Sequence, residues 1–305
     1  MQLAYFPGCS AKGSSLDYEL STQAVMAALG ITLKEIADWN CCGSTPAHAV
    51  SSLLSSALCA RNLDLAARAG ADLLATPCPS CLSNLKATSK RLEDASFRQK
   101  VNALLDAPCA ETLPKTTSVM QAMAELVSLD ELAQKAKLSL KGLKLVAYYG
   151  CLMSRPAELM QFEDPENPML MERMLTALGA EMLDFPLKTA CCGAAFGIPQ
   201  RPLTAKNSGR ILELAANLGA DAIVTCCPLC QMNLDLRQAQ AEKAMGRRFA
   251  LPAPYYTQIL GLALGLSPED LGLAKLVVPM DGLLAKLTPK QAPLASEAPS
   301  SEVSE

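Results

Sequence analysis

Ten of the thirteen cysteines in this chain fall into two sets of five with nearly the same spacing. The first set is Cys9, the adjacent pair Cys41–Cys42 followed by Gly43, then Cys78 and Cys81. The second is Cys151, the pair Cys191–Cys192 followed by Gly193, then Cys227 and Cys230. Between the first cysteine and the pair stand 31 residues in one set and 39 in the other; from the pair to the closing Cys-x-x-Cys there are 35 and 34. Thiolates are soft ligands, and five of them together favour a sulfur-loving centre, with iron–sulfur chemistry foremost. Disulfides fit poorly, because adjacent cysteines are bad partners for one another and nothing indicates an oxidising compartment. Zinc is satisfied by four thiolates and has no use for a fifth, although one set could hold zinc while the other holds iron. A thioredoxin-like Cys-x-x-Cys would leave both Cys-Cys pairs without a purpose. A cubane 4Fe–4S cluster also needs only four thiolates. The fifth permits an opened cluster with one iron accessible to a substrate sulfur.

Something must bring three sequence-distant cysteine groups together, and the chain around them repeats. Leu63 to Asp72 matches Leu212 to Asp221 almost letter for letter, and Ala28-Leu29-Gly30 answers Ala177-Leu178-Gly179. Such self-similarity implies two copies of one unit of roughly 140 to 150 residues. In each copy a short strand (Leu3–Phe6, Leu143–Tyr149) leads to a helix (Leu16–Leu29, Met169–Leu178) stopped by Gly30 or Gly179. A second strand follows (Ile31–Ile36, Glu181–Phe185), then Cys-Cys-Gly, a helix, a third strand (Asp72–Thr76, Asp221–Thr225), Cys-x-x-Cys and a last helix. Strands alternating with helices predict an α/β fold: two duplicated Rossmann-like parallel-sheet domains related by a pseudo-twofold axis. Every cysteine group then follows a strand, so each set gathers at the carboxyl edge of its sheet. The expected organisation is a first domain over 1–106, a connector over 107–142, a second domain over 143–285 and a disordered tail over 286–305. The connector should hold a helix near Ser118–Leu126, and another is expected near Tyr256–Leu264.

The bulk numbers suit this organisation. With 305 residues, 50% of them hydrophobic, the chain can bury two cores. A net charge of −3 and only 4% aromatic residues argue against a nucleic-acid binder. The opening Met1 to Pro7 has no basic segment followed by an apolar run, and no stretch reaches the ~18 apolar residues of a membrane span. A soluble, cytoplasmic protein with no direct membrane insertion is expected, its thiols kept reduced and free to bind metal.

The two copies of Cys-x31–39-Cys-Cys-x34–35-Cys-x-x-Cys closely resemble the CCG-domain family, and within it the B subunits of heterodisulfide reductases. Tyr5-Phe6-Pro7-Gly8-Cys9-Ser10 and Asp38-Trp39-Asn40-Cys41-Cys42-Gly43 look like that family's opening. The resemblance covers residue 1 to about 285. It implies a catalytic subunit whose ten cysteines hold two noncubane 4Fe–4S clusters facing each other across the domain interface. It implies reductive cleavage, or reversible formation, of a small-molecule disulfide between them, each sulfur being captured by a cluster iron. Electrons would come through a ferredoxin-like iron–sulfur C subunit from a flavoprotein A subunit. The iron–sulfur subunit of a hydroxyacid oxidase or quinone-linked reductase, and an electron-relaying module with one zinc, remain as alternatives. One irregularity concerns Cys226, which stands where the first copy has Pro77; aligning Thr76-Pro77-Cys78-Pro79 on Thr225-Cys226-Cys227-Pro228 selects Cys227 as the ligand.

Few other residues could do chemistry. His48, the single histidine, could donate a proton or bind metal, against the commoner surface role. Lys188, three residues before Cys191, could attract an anionic group, against the commoner solvated lysine. Trp39 is expected to pack in the domain interface. Cys59 and Cys109 read as idle buried thiols, Cys226 as a neighbour of the ligands, and Met169, Met171 and Met174 as core.

Overall fold

A computed structural model describes residues 1–44 and 46–290 of the chain. Strand β1 (Gln2–Tyr5), β2 (Thr32–Glu35), β3 (Leu73–Thr76) and β4 (Lys115–Ser118) form one sheet in the order β2-β1-β3-β4. After the two-residue β5 (Leu138–Ser139) come β6 (Lys144–Tyr148), β7 (Glu181–Met182) and β8 (Ala222–Thr225), which form a second sheet in the order β7-β6-β8. Every pairing in both sheets is parallel. The central strands Lys144–Tyr148 and Ala222–Thr225 are buried along almost their whole length, which is why they read as unbroken apolar runs and not as an alternation. In both sheets the chain leaves the first strand to pair on one side and returns to pair on the other. The reversal lies between β1 and β3 and between β6 and β8, where ligands bind in folds of this class.

Helices cover both faces. Helices Leu16–Ala28 and Tyr256–Ala263 pack together between the sheets, with Ser21 and Thr257 sharing a hydroxyl hydrogen bond of 2.7 Å. One core contains Leu3, Tyr5, Leu145 and Tyr149 and is common to both sheets. Helices Ser52–Arg68 and Pro79–Arg91 cover the outer face of the first sheet, and Arg201–Asn217 and Gln238–Met245 that of the second.

Three expectations need correction. The stretch 107–142 is more than a connector, because β4 adds to the first sheet and leads into helix Val119–Leu126, whose cap Ser118 exchanges hydrogen bonds with Gln121. Lys115-Thr116-Thr117-Ser118 is a partly exposed edge strand without an apolar run, so its pattern is that of a loop. The equivalent strip beside β8 is hidden by prolines: Pro252 and Pro254 accept from Ile223 and Thr225, and Tyr255 bridges Thr225 in parallel. Residues 286–290 of the expected tail are held in place, since β9 (Thr288–Pro289) pairs antiparallel with β5 and Lys286 pairs with Asp221 at 2.5 Å. Residues 291–305, the rest of that expected tail, lie outside the described residues. The final helix of the second copy also differs from its counterpart: Pro228–Gln231 passes into a π-turn, Met232–Leu236, before Gln238–Met245. Such turns often occur at functional sites.

Candidate metal centres

The sulfurs of each set come together. In the first, Cys9 and Cys41 lie 3.7 Å apart and Cys42 and Cys81 3.3 Å apart, while Cys41 hydrogen-bonds Cys42 and Cys78 hydrogen-bonds Cys81. In the second, Cys192 and Cys230 are 3.6 Å apart, and the free thiols of Cys151 and Cys191, and of Cys227 and Cys230, are close enough to shift one another's ionisation. Cys42, Cys78, Cys81, Cys192, Cys227 and Cys230 are buried; Cys9 and Cys191 are exposed. Each set is therefore a bowl, dry at its floor and open at its rim. Among the described residues no three metal-ligating side chains close around a point for a single ion.

The backbone is shaped for these thiols. Gly8 (φ +77°) and Gly150 (φ +70°) precede the first cysteine of each set in a left-handed conformation that favours glycine. A Cβ at Gly8 would lie 3.0 Å from Cys81 Sγ, and one at Gly150 would lie 2.8 Å from Cys230 Sγ, so only glycine lets the loop approach the sulfur. The Gly43 and Gly193 amides donate to Cys41 and Cys191 Sγ at 3.4 and 3.3 Å. Donors of this kind stabilise thiolates and tune sulfur-held clusters. Hydrogen bonds from Cys41 and Cys81 draw the Cys42 thiol down to about 4, and that from Cys151 draws Cys191 down to about 6. Five converging thiols, backbone donors and a floor that excludes a Cβ fit a cluster held by cysteine.

Each bowl has a support that sequence reasoning missed. Asn84 Nδ2 donates to the Cys42 carbonyl at 2.5 Å, and Asn233 Nδ2 lies 3.3 Å from Cys192 Sγ. The signal was present, since both sets close as Cys-x-x-Cys-x-x-Asn. Cys59 Sγ donates to the Cys42 carbonyl at 3.2 Å, and Ser208 Oγ does the same for Cys192 at 3.2 Å. Cys59 is thus a prop under the first pair. Cys109 bonds Asn102 Oδ1 at 3.2 Å, away from both bowls. Cys226 turns from the cysteine set into the core between the sheets, 3.6 Å from the Tyr149 carbonyl.

Other expectations fare differently. His48 is exposed on the short helix Pro46–Val50. Lys188 is buried: its Nζ pairs with Glu172 at 2.6 Å, and Glu172 accepts from Tyr149 at 2.5 Å. A fully partnered ammonium cannot also draw in an anion, so that role is withdrawn. Lys188 instead braces the second bowl, because its carbonyl accepts from Tyr149 and Gly150, next to Cys151. Near the first set a tyrosine is again held by a buried carboxylate: Tyr5 donates to Glu19 at 2.5 Å, and Gln23 donates to the same carboxylate at 3.0 Å. Trp39 packs edge-on against Phe6 at 5.4 Å on the outer core, not between the copies. Met171 and Met174 are core, whereas Met169 is partly exposed.

The two Cys-x-x-Cys loops meet at one point. The Tyr18 hydroxyl lies 3.2 Å from the Pro77 carbonyl and 3.0 Å from the Cys226 carbonyl, the residues immediately before Cys78 and Cys227. One side chain thus ties both Cys-x-x-Cys loops together.

The cysteine-rich CCG domain matches this chain twice, over residues 3–86 and 145–235. The chain belongs to the CCG cysteine-rich domain family. This CCG chain is 34% identical over 274 residues to the 8-methylmenaquinol:fumarate reductase membrane anchor subunit of Wolinella succinogenes, covering 89% of this chain and 95% of that one. It is 30% identical over 295 residues to a protein of Archaeoglobus profundus described as like the B subunit of heterodisulfide reductase, covering 92% and 96%. To the B subunit of the ferredoxin/F(420)H(2)-dependent CoB-CoM heterodisulfide reductase of Methanosarcina acetivorans it is 29% identical over 298 residues, covering 94% and 97%. A crystal structure of a hypothetical protein from Helicobacter pylori superposes with a TM-score of 0.74 at 13% identity. That likeness, one of fold, covers 91% of this chain and 52% of the other, so this chain spans about half the length of that protein. Among the described residues no helix is long and apolar enough to cross a membrane.

Proposed function

We propose that this chain is the iron–sulfur subunit of a multi-subunit oxidoreductase of the heterodisulfide-reductase type. In this reading Cys9, Cys41, Cys42, Cys78 and Cys81 hold one 4Fe–4S cluster, and Cys151, Cys191, Cys192, Cys227 and Cys230 hold the other. The observation that supports it is the Tyr18 hydroxyl spanning both Cys-x-x-Cys loops, which ties the closing cysteines of the two sets to one another. Clusters held there would supply electrons, and iron with affinity for sulfur, to a disulfide lying in a seam between the two sets. The chain's own residues do the rest. The buried cysteines exclude water from the bowl floors, Asn84 and Asn233 fix the second cysteine of each pair, and Gly8 and Gly150 admit the loops to the sulfurs. Two clusters in one chain need an outside electron source. A ferredoxin-like iron–sulfur subunit and a flavoprotein subunit fit that need, and the exposed Cys9 and Cys191 mark the side from which electrons would enter.

A second reading has its own support. The 34% identity to a methylmenaquinol:fumarate reductase subunit favours an iron–sulfur subunit of a quinone-linked reductase, with the same bowls serving a quinol in place of a disulfide. Paramagnetic resonance separates the two. On anaerobic protein oxidised stepwise, the disulfide reading expects a new signal that depends on an added small thiol such as mercaptoethanol. A signal that responds to a menaquinol analogue and ignores thiols contradicts it and selects the quinone reading.

A further inference from the structure

The two helices that follow the Cys-Cys-Gly turns stand in register. Cys59 on Ser52–Arg68 and Ser208 on Arg201–Asn217 donate to the carbonyls of Cys42 and Cys192, so Arg61 answers Arg210 and Asn62 answers Ile211. Around the first pair these residues are fully used. Arg61 forms an ion pair with Asp38, and it donates to the Asp38 carbonyl at 2.5 Å and to Asn40 Oδ1 at 3.1 Å. Asn62 exchanges hydrogen bonds with the Asn40 backbone at 2.8 and 2.9 Å, and Asn40 Nδ2 donates to the Cys41 carbonyl at 2.9 Å. The space beside Cys41 is thereby filled, and that cysteine is half-buried.

Around the second pair the arginine is kept and its partners are not. At the same spacing from the cysteines, Lys188 stands where the first copy has Asp38, and Ala190 where it has Asn40. Lys188 turns inward to Glu172, so Arg210 has no ion pair among the described residues. Ala190 and Ile211, in place of two asparagines, leave a cavity of about 220 Å³ lined by Leu187, Ala190, Cys191, Asn207, Arg210 and Ile211. At ~30 Å³ per water it has room for about seven waters. Cys191, unlike Cys41, is exposed. Asn207 and Arg210 are three apart on one helix and share a face. Asn207 Nδ2 stands over the Cys-Cys-Gly turn, 3.3 Å from where a Cβ of Gly193 would lie.

We propose that this cavity binds a short-chain monocarboxylate, beside the second cysteine set and with no equivalent beside the first. An arginine keeps its charge in proteins, and its planar fork matches a carboxylate through two parallel N–H···O bonds. The Asn207 amide adds a donor from the same helix face. Leu187, Ala190 and Ile211 form an apolar wall for a short aliphatic tail. Arg210 is the one cation in this lining, so a second negative charge on the ligand would go unpaired. A carboxylate held there brings negative charge to Cys191 and leaves Cys41 as it is, so the two sets become electrically unlike. The site depends on neither the disulfide nor the quinol reading.

Phenylglyoxal labelling of arginines in the iron-loaded protein, read by peptide mass spectrometry, tests this with propionate as the probe. Arg210 is expected to react, and excess sodium propionate at fixed ionic strength to slow that reaction roughly threefold or more. Propionamide has the same shape without the charge and should leave the rate unchanged. Arg201, exposed in the first turn of the same helix, should react at one rate throughout. Asn207→Leu installs the residue that the first copy carries there, Leu58, and should remove at least half of the protection. An Arg210 that resists phenylglyoxal without propionate, or that propionate fails to protect, would overturn the site. So would equal protection by propionamide, equal slowing at Arg201, or full protection in Asn207→Leu.

Discussion

Replacing Cys81 by serine is expected to halve the iron this chain retains, from about eight atoms to about four, at four per cluster. Cys81 is the hub of the first bowl: its sulfur lies 3.3 Å from Cys42, hydrogen-bonds Cys78 and touches the space that Gly8 leaves open. Serine offers a harder oxygen whose proton is far less readily lost, so the set loses a soft ligand at its floor. The thiol-dependent signal should fall with the iron, because a disulfide in the seam needs both bowls. Cys109→Ser is the control. That thiol bonds Asn102 in a small separate core, and its loss should leave the iron unchanged. Iron analysis of both variants after anaerobic reconstitution decides the matter. A Cys81→Ser chain with the parent's iron would remove Cys81 from the ligands.

Lys188→Met is expected to destabilise the metal-free chain by about 3–5 kcal/mol, the cost of leaving one member of a buried ion pair without its partner. Lys188 and Glu172 side chains are only 6% and 7% exposed, and Glu172 also takes the Tyr149 hydroxyl, so water cannot replace the lost ammonium. The double variant Lys188→Met with Glu172→Gln should recover most of the loss, since it removes both charges while an amide oxygen can still accept from Tyr149. Guanidinium unfolding midpoints measure this. A single variant within about 0.5 kcal/mol of the parent would place the pair among those that contribute nothing. The effect should also reach the second bowl, because the same loop offers its carbonyl to Gly150 beside Cys151.

What was legible in the sequence was whatever a repeated or periodic signal encodes. The cysteine sets, the buried strands before the first cysteine and the Cys-x-x-Cys of each set, helix Leu16–Ala28 stopped by Gly30 and the capped helix Val119–Leu126 all carry such signals, and the parallel sheets follow from their alternation. The strand Lys115–Ser118 and the strip 252–255 were hidden because edge positions need no apolar run, and prolines there keep their carbonyls for the ladder while lacking a donor. Lys188 shows a different limit. Its spacing from Cys191 suggested a ligand-facing charge, but its surroundings are set by Glu172 and Tyr149, which are distant in sequence. Asn84 and Asn233 were missed although they repeat, because an asparagine on a helix after Cys-x-x-Cys has many uses until the Cys42 and Cys192 loops are seen to pack against it.

The most direct test is the iron and zinc content of the parent chain, purified and reconstituted without oxygen. Two cysteine-held clusters predict about eight irons per chain and no zinc, at four irons per cluster. About four irons with one zinc would reduce one bowl to a structural site, and a chain that takes up no iron would contradict the account.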